Sequence, residues 1–315
     1  MLQVIDVGGR EDLDSVLRGI VQRVEVRRSE VRRKLAGTLG IKSIGQPTPP
    51  SSFDRVYAVD SAYPTTPLEL LGVSLSLISV ALVVYLPGSR ETVKSRRIKL
   101  LVDYEGGMDI ETVSGMARLE ERRLLLSQML GTGTLIAIDG EVAPSGQSPL
   151  WRSARNLTMD ILNACAARSC TVVGILKRSR SRILASVAGV SVNDRVAASA
   201  ALERGEYVEV EHPSSDLSSA GCRVVFYKPW RGPPHAVKAE VCCSGSHCVE
   251  AAVKFLASES SGTGLPWFLD LVDAVAKSGV SILTPIYRRL LSLSAGSGGP
   301  DAAMPANPQE ALRWR

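Results

Sequence analysis

The chain of 315 residues has only three histidines and no GxxxxGK[ST] segment. So few histidines leave no recognisable frame for Ser-His-Asp hydrolysis. Without a glycine-rich loop opening a helix, a phosphate cradle of the NTPase kind is excluded as well. The segment "GTGTLIAID" sets its glycines before a strand, which is the wrong context. Paired zinc knuckles are also missing: Cys165, Cys170, Cys222, Cys242, Cys243 and Cys248 follow no such spacing, and His247 beside Cys248 is a lone neighbour. These cysteines read as buried thiols or an occasional disulfide. No N-terminal stretch has the basic, apolar, small-residue order of a signal peptide, so a cytoplasmic protein is expected. One run, residues 70–86, carries no charge and approaches the lower length limit of a membrane span. Ser74, Ser76 and Ser79 interrupt it, valine and isoleucine are frequent, and a Pro87-Gly88 turn closes it, so it reads as a strand with no membrane partner. There is no internal repeat.

What is present is apolar residue in quantity, 45% of the chain, enough to bury a sizeable core. The net charge is +5, with basic groups at Arg27 and Arg28, at residues 32–34, 94–97 and 177–182. Such a bias permits polyanion binding, although basic runs also serve as solvated faces.

Residues 11–35 read as an arm-like helix, and "GIKSIGQPTPPSS" (residues 40–52) as a linker. Strands follow at 55–60, 70–86 and 92–104, joined by short turns in the manner of an antiparallel meander. Next come a helix in "MDIETVSGMARLEERRLLLSQML" (108–130), a strand at 134–139, a helix at 153–167, a strand ending at Lys177, and a helix starting near Asn193 and Asp194. The order β-β-β-α-β-α-β-α implies an α/β mixed sheet, a three-strand meander followed by parallel strands, with helices on both faces. The last third reads as an α+β elaboration, with strands at 222–228 and 235–241 and helices at 247–257, 266–277 and 282–293. The expected division is an arm and linker (1–50), one domain (51–293) and a flexible low-complexity tail (294–315).

Two buried strands end on a carboxylate, Asp60 and Asp139. The carboxyl end of a strand is where open α/β sheets place their sites. If these strands are neighbours, the two acids meet at one rim and repel unless something neutralises them. Oxygen-only ligation suits Mg²⁺ or Mn²⁺. The helix between them offers Glu120 and Glu121. An apolar stripe through Met116, Leu119, Leu126 and Leu130 sets Glu120 at its edge and Glu121 outward with Arg118, Leu125 and Gln128, so Glu120 is the expected inward ligand. Taken singly, each acid is equally well a cap, a turn residue or a surface ion pair; their joint placement argues for a site. Asp194, at a helix start, reads as an N-cap.

This order, with Asp60 ending the first strand, a Glu on the first helix and Asp139 ending the fourth strand, resembles the RNase H-like fold. Within it "VYAVDSAY", "RLEERRLLL", "LIAIDGEV", "GILKRSRSRIL" with "NDRVAASAAL", and "GLPWFLDLVDAVAK" resemble the successive motifs of the NurA nuclease family, from about Val56 to Ala276. The resemblance implies a homodimeric, Mn²⁺-dependent (or Mg²⁺-dependent) DNA nuclease that works with a HerA-type hexameric ATPase in DNA end resection. It implies Asp60, Glu120, Asp139 and Asp273 as catalytic metal ligands, Asp273 standing where the family's last motif carries a histidine. Two metals about 4 Å apart, bridged by Asp60, are the implied centre. Lys177, Arg178, Arg180 and Arg182 are read either as grips on the phosphate backbone or as an exposed basic turn. Asp273 is read either as a ligand or as an exposed helix acid. The rival readings are a DNA-binding or scaffolding subunit that keeps the fold, and another enzyme of that fold such as a junction resolvase.

Overall fold

In a computed structural model, residues 10–45, 53–70, 73–128, 130–177, 181–245 and 247–297 are described. Helix α1 (Arg10–Thr38) leads into a two-residue strand β1 (Lys42–Ser43). Then come β2 (Arg55–Ala62), β3 (Leu68–Leu70), β4 (Val73–Leu86), β5 (Glu91–Asp103), α2 (Ile110–Leu126), β6 (Thr134–Asp139), α3 (Pro149–Arg168) and β7 (Thr171–Leu176). The chain continues through α4 (Ile183–Val187), α5 (Asp194–Ala201), β8 (Glu206–Glu211), α6 (Ser215–Ser219), β9 (Cys222–Lys228), β10 (Val237–Cys242), α7 (Cys248–Ser258), α8 (Trp267–Val280) and α9 (Leu283–Ser297).

The strands form one ten-stranded mixed sheet in the order β1-β8-β9-β10-β7-β6-β2-β4-β3, with β5 also paired to β4. Residues 79–85 of β4 pair with both β2 and β5, so β5 lies on the far side of β4 from β2. The pairs β2–β6 and β6–β7 are parallel and all others antiparallel. The expected meander is therefore β2, β4 and β5, with a short β3 turned back onto β4, and the expected parallel strands are β6 and β7. The elaboration does not stand apart: β10 pairs antiparallel with β7 and continues the same sheet.

β2, β6 and β7 are buried on both faces, as near-continuous apolar runs require when helices cover each side of a sheet. Helices α7 and α8 bring Phe255 and Phe268 against Ala58, Ala81 and Ala137 on one face. Leu124 and Leu125 of α2 and Ile161 of α3 pack on Val59, Leu82 and Ile138 of the other. The charge-free run is β4, and among the described residues no helix is long and apolar enough to cross a membrane.

The N-terminal segments are more integrated than expected. Val31 and Leu35 of α1 are buried with Leu184, Ala197 and Ala201, and Arg32 makes a fork to Glu206 at 2.7 and 2.9 Å. Lys42 and Ser43, expected in a linker, pair antiparallel with β8, opposite Tyr207 and Glu206. Residues 294–297 of the expected tail are the last turn of α9, and the rest of that tail lies outside the described residues. All six cysteines are paired, as Cys165–Cys170, Cys222–Cys242 and Cys243–Cys248.

Candidate metal centre

Asp60 and Asp139 reach one rim because their strands run parallel in register. Val59 pairs with Ile138, so each acid stands one residue further along, where the β2–β6 ladder ends. Alternation sends both side chains to the face covered by α8. Their in-strand neighbours on that face, Ala58 and Ala137, belong to its core. Gly140 turns the chain sharply at φ 129°, a left-handed-side conformation that side chains rarely adopt. Helix α8 supplies the third acid. It lies close on β4, where Gly279 faces Ser79 so tightly that a Cβ would come within 2.1 Å of the Ser79 hydroxyl. That approach sets Asp273, further back on α8, over the rim.

Among the described residues Asp60, Asp139 and Asp273 each offer an oxygen, and these atoms all lie within 4.8 Å of one another. Asp60 and Asp139 are 6% and 9% exposed. Burial, reinforced by the charges of Asp139 and Glu121, pushes the Asp60 carboxyl up to about 8, against the opposing pull of Arg118 and the Ser61 backbone N–H, 2.8 Å away. Asp139 is also raised, by burial first and with Asp273 adding, while Lys177 works the other way. Two buried acids and the half-buried Asp273, close enough to repel one another, form an oxygen donor set that a divalent cation would neutralise, so these residues fit Mg²⁺ or Mn²⁺.

Lys177 stands among the acids rather than outside them. Its ammonium donates to Asp139 and lies 4.0 Å from Asp273. Burial disfavours that charge, but the bond to Asp139 and the charges of Asp273 and Asp60 outweigh it and hold the ammonium above its ordinary value. Arg182 is exposed and donates to Ser191 at 3.3 Å. Arg178 and Arg180 lie outside the described residues. Asp194 does cap a helix, though not its own. Asn193 caps α5, while the Asp194 carboxylate accepts from the Ile183 and Ala185 amides at the start of α4, at 3.0 and 2.9 Å.

The expected phase of α2 is reversed. Glu120 points away from the three aspartates and pairs with Lys99 of β5 at 2.5 Å and with Arg123 at 2.6 Å. Glu121, expected outward, is fully buried at the rim: it accepts from the Ser61 hydroxyl, next to Asp60, and from Arg118 at 2.7 Å and Arg122 at 2.8 Å. The reason is that α2 is covered twice, by the sheet and by α3. Its buried line on the sheet is Val113, Ala117, Glu121 and Leu124, while Met116 is only half-buried and Leu126 exposed.

Two arginines were not singled out by the sequence. Arg118 reaches from Glu121 to the Asp139 carbonyl at 3.3 Å. Arg122 is entirely buried and donates to Thr158 at 3.1 Å and to the carbonyls of Glu141 and Val142, both at 3.0 Å. It thereby holds the loop that follows Asp139. Their spacing from Glu121, three back and one forward, carries only an ordinary helix-surface signal. A cleft of about 420 Å³, lined by Arg118, Asp139, Trp151, Lys177, Asp273 and Lys277, opens beside the acids. A larger apolar groove of about 1020 Å³ lies between α1 and α5 and contains none of the three aspartates.

No protein-family model and no curated protein matches the sequence. Solved structures do. The crystal structure of the NurA nuclease from Sulfolobus solfataricus is similar with a TM-score of 0.60 and 12% identity over 88% of this chain and 95% of that one. NurA bound to dAMP and manganese is similar with a TM-score of 0.51 and 12% identity, covering 97% of this chain and 100% of the other. NurA with manganese gives a TM-score of 0.51 at 10% identity over 94% and 100% of the two chains. Over most of its length, the chain therefore has the fold of the NurA nuclease structures.

Proposed function

We propose that the protein is a divalent-metal-dependent deoxyribonuclease, a phosphodiester hydrolase built on an RNase H-like sheet. The observation that carries this reading is the convergence of Asp60, Asp139 and Asp273 within 4.8 Å at the open end of two parallel strands. That one similar structure holds dAMP and manganese is consistent with the same chemistry.

In this reading Asp60, Asp139 and Asp273 hold the metal, and Glu121, reaching the rim through Ser61, takes the place first expected of Glu120. Bound there, one or two Mn²⁺ or Mg²⁺ ions would activate water and stabilise the leaving oxygen of a phosphodiester. Arg118 and Arg122 fix Glu121 and the backbone around Asp139, so the acids keep their spacing. Lys177, Arg182 and the intervening Arg178 and Arg180 offer positive charge to the DNA backbone. Action in the cytoplasm as a homodimer, with a HerA-type ATPase in DNA end resection, is the finer form of the proposal; the motif resemblance supports it.

The test is digestion of labelled DNA with Mn²⁺, with Mg²⁺ and with chelator, on wild type and Asp60→Ala. Cleavage is expected with metal only, and only in wild type. DNA binding without cleavage would assign the chain to the scaffolding role instead. Cleavage that persists in chelator would overturn the metal centre.

A further inference from the structure

Lys177 engages two of the three clustered aspartates. Its ammonium donates to Asp139 and faces Asp273 at 4.0 Å, and both carboxylates belong to the three-acid cluster. Its backbone is tied down, because Arg195 donates to the Lys177 carbonyl at 2.7 Å. Its side chain is held only through the ammonium, and it is 31% exposed along the cleft. Lys277, which also lines the cleft and is 69% exposed, pairs with the other oxygen of Asp273 at 2.7 Å. A group of buried carboxylates is costly without a compensating charge, and the ammonium supplies one from within the chain.

We infer that Lys177 is an internal counter-ion that competes with the divalent metal for Asp139 and Asp273, and that metal binding swings its side chain out into the cleft. This rests on the metal-centre reading and adds a role for a residue first read as a phosphate grip. The lysine keeps the acid cluster tolerable before metal arrives and sets how much metal is needed to load it. Once displaced, it presents its charge at the rim where a phosphate backbone would approach. Metal loading and the appearance of a substrate-facing cation are thereby coupled through one side chain whose main chain stays anchored. The alternative is a fixed salt bridge that holds Asp139 in place whatever the metal does.

The two are separated by following the lysine itself. Wild-type protein is titrated with Mn²⁺ while binding is read by thermal shift, and at each point surface amines are acetylated with an N-hydroxysuccinimide ester and quantified by mass spectrometry. Lys94, exposed on β5, is the internal reference. Labelling of Lys177 relative to Lys94 is expected to rise several-fold along the binding curve. In Lys177→Met, Mn²⁺ affinity is expected to tighten by about tenfold, as removal of a competing charge implies. Constant or falling Lys177 labelling while the thermal shift saturates would overturn the counter-ion role and leave the metal centre standing. No thermal shift at millimolar Mn²⁺ would overturn both. The wild-type labelling arm decides even if the variant does not fold.

Discussion

Asp60 carries the most displaced carboxyl of the rim, held up to about 8 by burial first and then by Asp139 and Glu121. In the unfolded chain the same carboxyl titrates near 4. Between those values the folded protein binds a proton that the unfolded chain has lost. The contribution to stability is therefore full below about pH 4 and is lost as pH rises toward 8. Asp139 is shifted the same way. The unfolding midpoint of metal-free protein should fall from pH 5 to pH 8 in calorimetry, and Asp60→Asn should flatten that fall. Metal binding must displace this proton. Titration with Mn²⁺ at pH 7 in two buffers of different ionisation heat should then register net proton release. A buffer-independent heat would mean that Asp60 is already ionised.

At the scale of the element, α2 sorts its two glutamates by what lies outside each face. Glu120 meets Lys99 and Arg123, whose side chains are 46% and 55% exposed. Pairs of that kind contribute at most about 1 kcal/mol. Glu121 is sealed between Arg118 and Arg122, and removal of one partner from a buried ion cluster costs about 3–5 kcal/mol. Urea unfolding should accordingly show a large loss for Glu121→Gln and almost none for Glu120→Gln. DNA cleavage should follow the same ranking, falling by about tenfold or more only in Glu121→Gln, on the scale seen when groups that orient metal ligands are removed. The opposite ranking would restore the phase read from the apolar stripe.

The whole molecule enters through α8, which comes late in the chain and lies across the first strands of the sheet. Gly279 lets it approach β4: an added Cβ would stand 2.1 Å from the Ser79 hydroxyl oxygen and 2.7 Å from its Cβ. Gly279→Ala should push the helix outward, lower stability by about 1–3 kcal/mol as overpacking does, and move Asp273 off Asp60 and Asp139. Both effects can be read in one experiment, the thermal midpoint with and without Mn²⁺, where the metal-induced shift should shrink along with the midpoint. Ser79→Ala is the control. Its hydroxyl is buried without a hydrogen-bond partner, so its loss should leave the midpoint equal or higher. A full Mn²⁺ shift in Gly279→Ala would detach Asp273 from the metal centre.

Those features of the protein that depend on neighbours along the chain were legible in its sequence. Residues 134–139 and 222–228 are apolar runs bounded by turn residues, and they are strands with those same limits. Asp139 could be recognised as a strand-end acid for the same local reason, whereas the strand expected to end on Asp60 runs on to Ala62, still paired with β4, and only its ladder with β6 stops beside the acid. The meeting of the two acids at one rim is a matter of parallel β2–β6 pairing, and the addition of Asp273 depends on how α8 packs, so tertiary structure decided both. The phase of α2 was beyond the sequence because a helix buried against both a sheet and another helix has no single apolar stripe to read. The same double burial hides Arg122, a charged side chain whose partners besides the adjacent Glu121 are carbonyls and a hydroxyl 19 to 36 residues away. The cysteine pairings were likewise open, since spacing alone does not choose among the connectivities of six thiols. Composition and local pattern determine which segments become strands and which residues end them; which of those ends face one another is set by long-range packing, where each position is constrained by groups far from it in sequence.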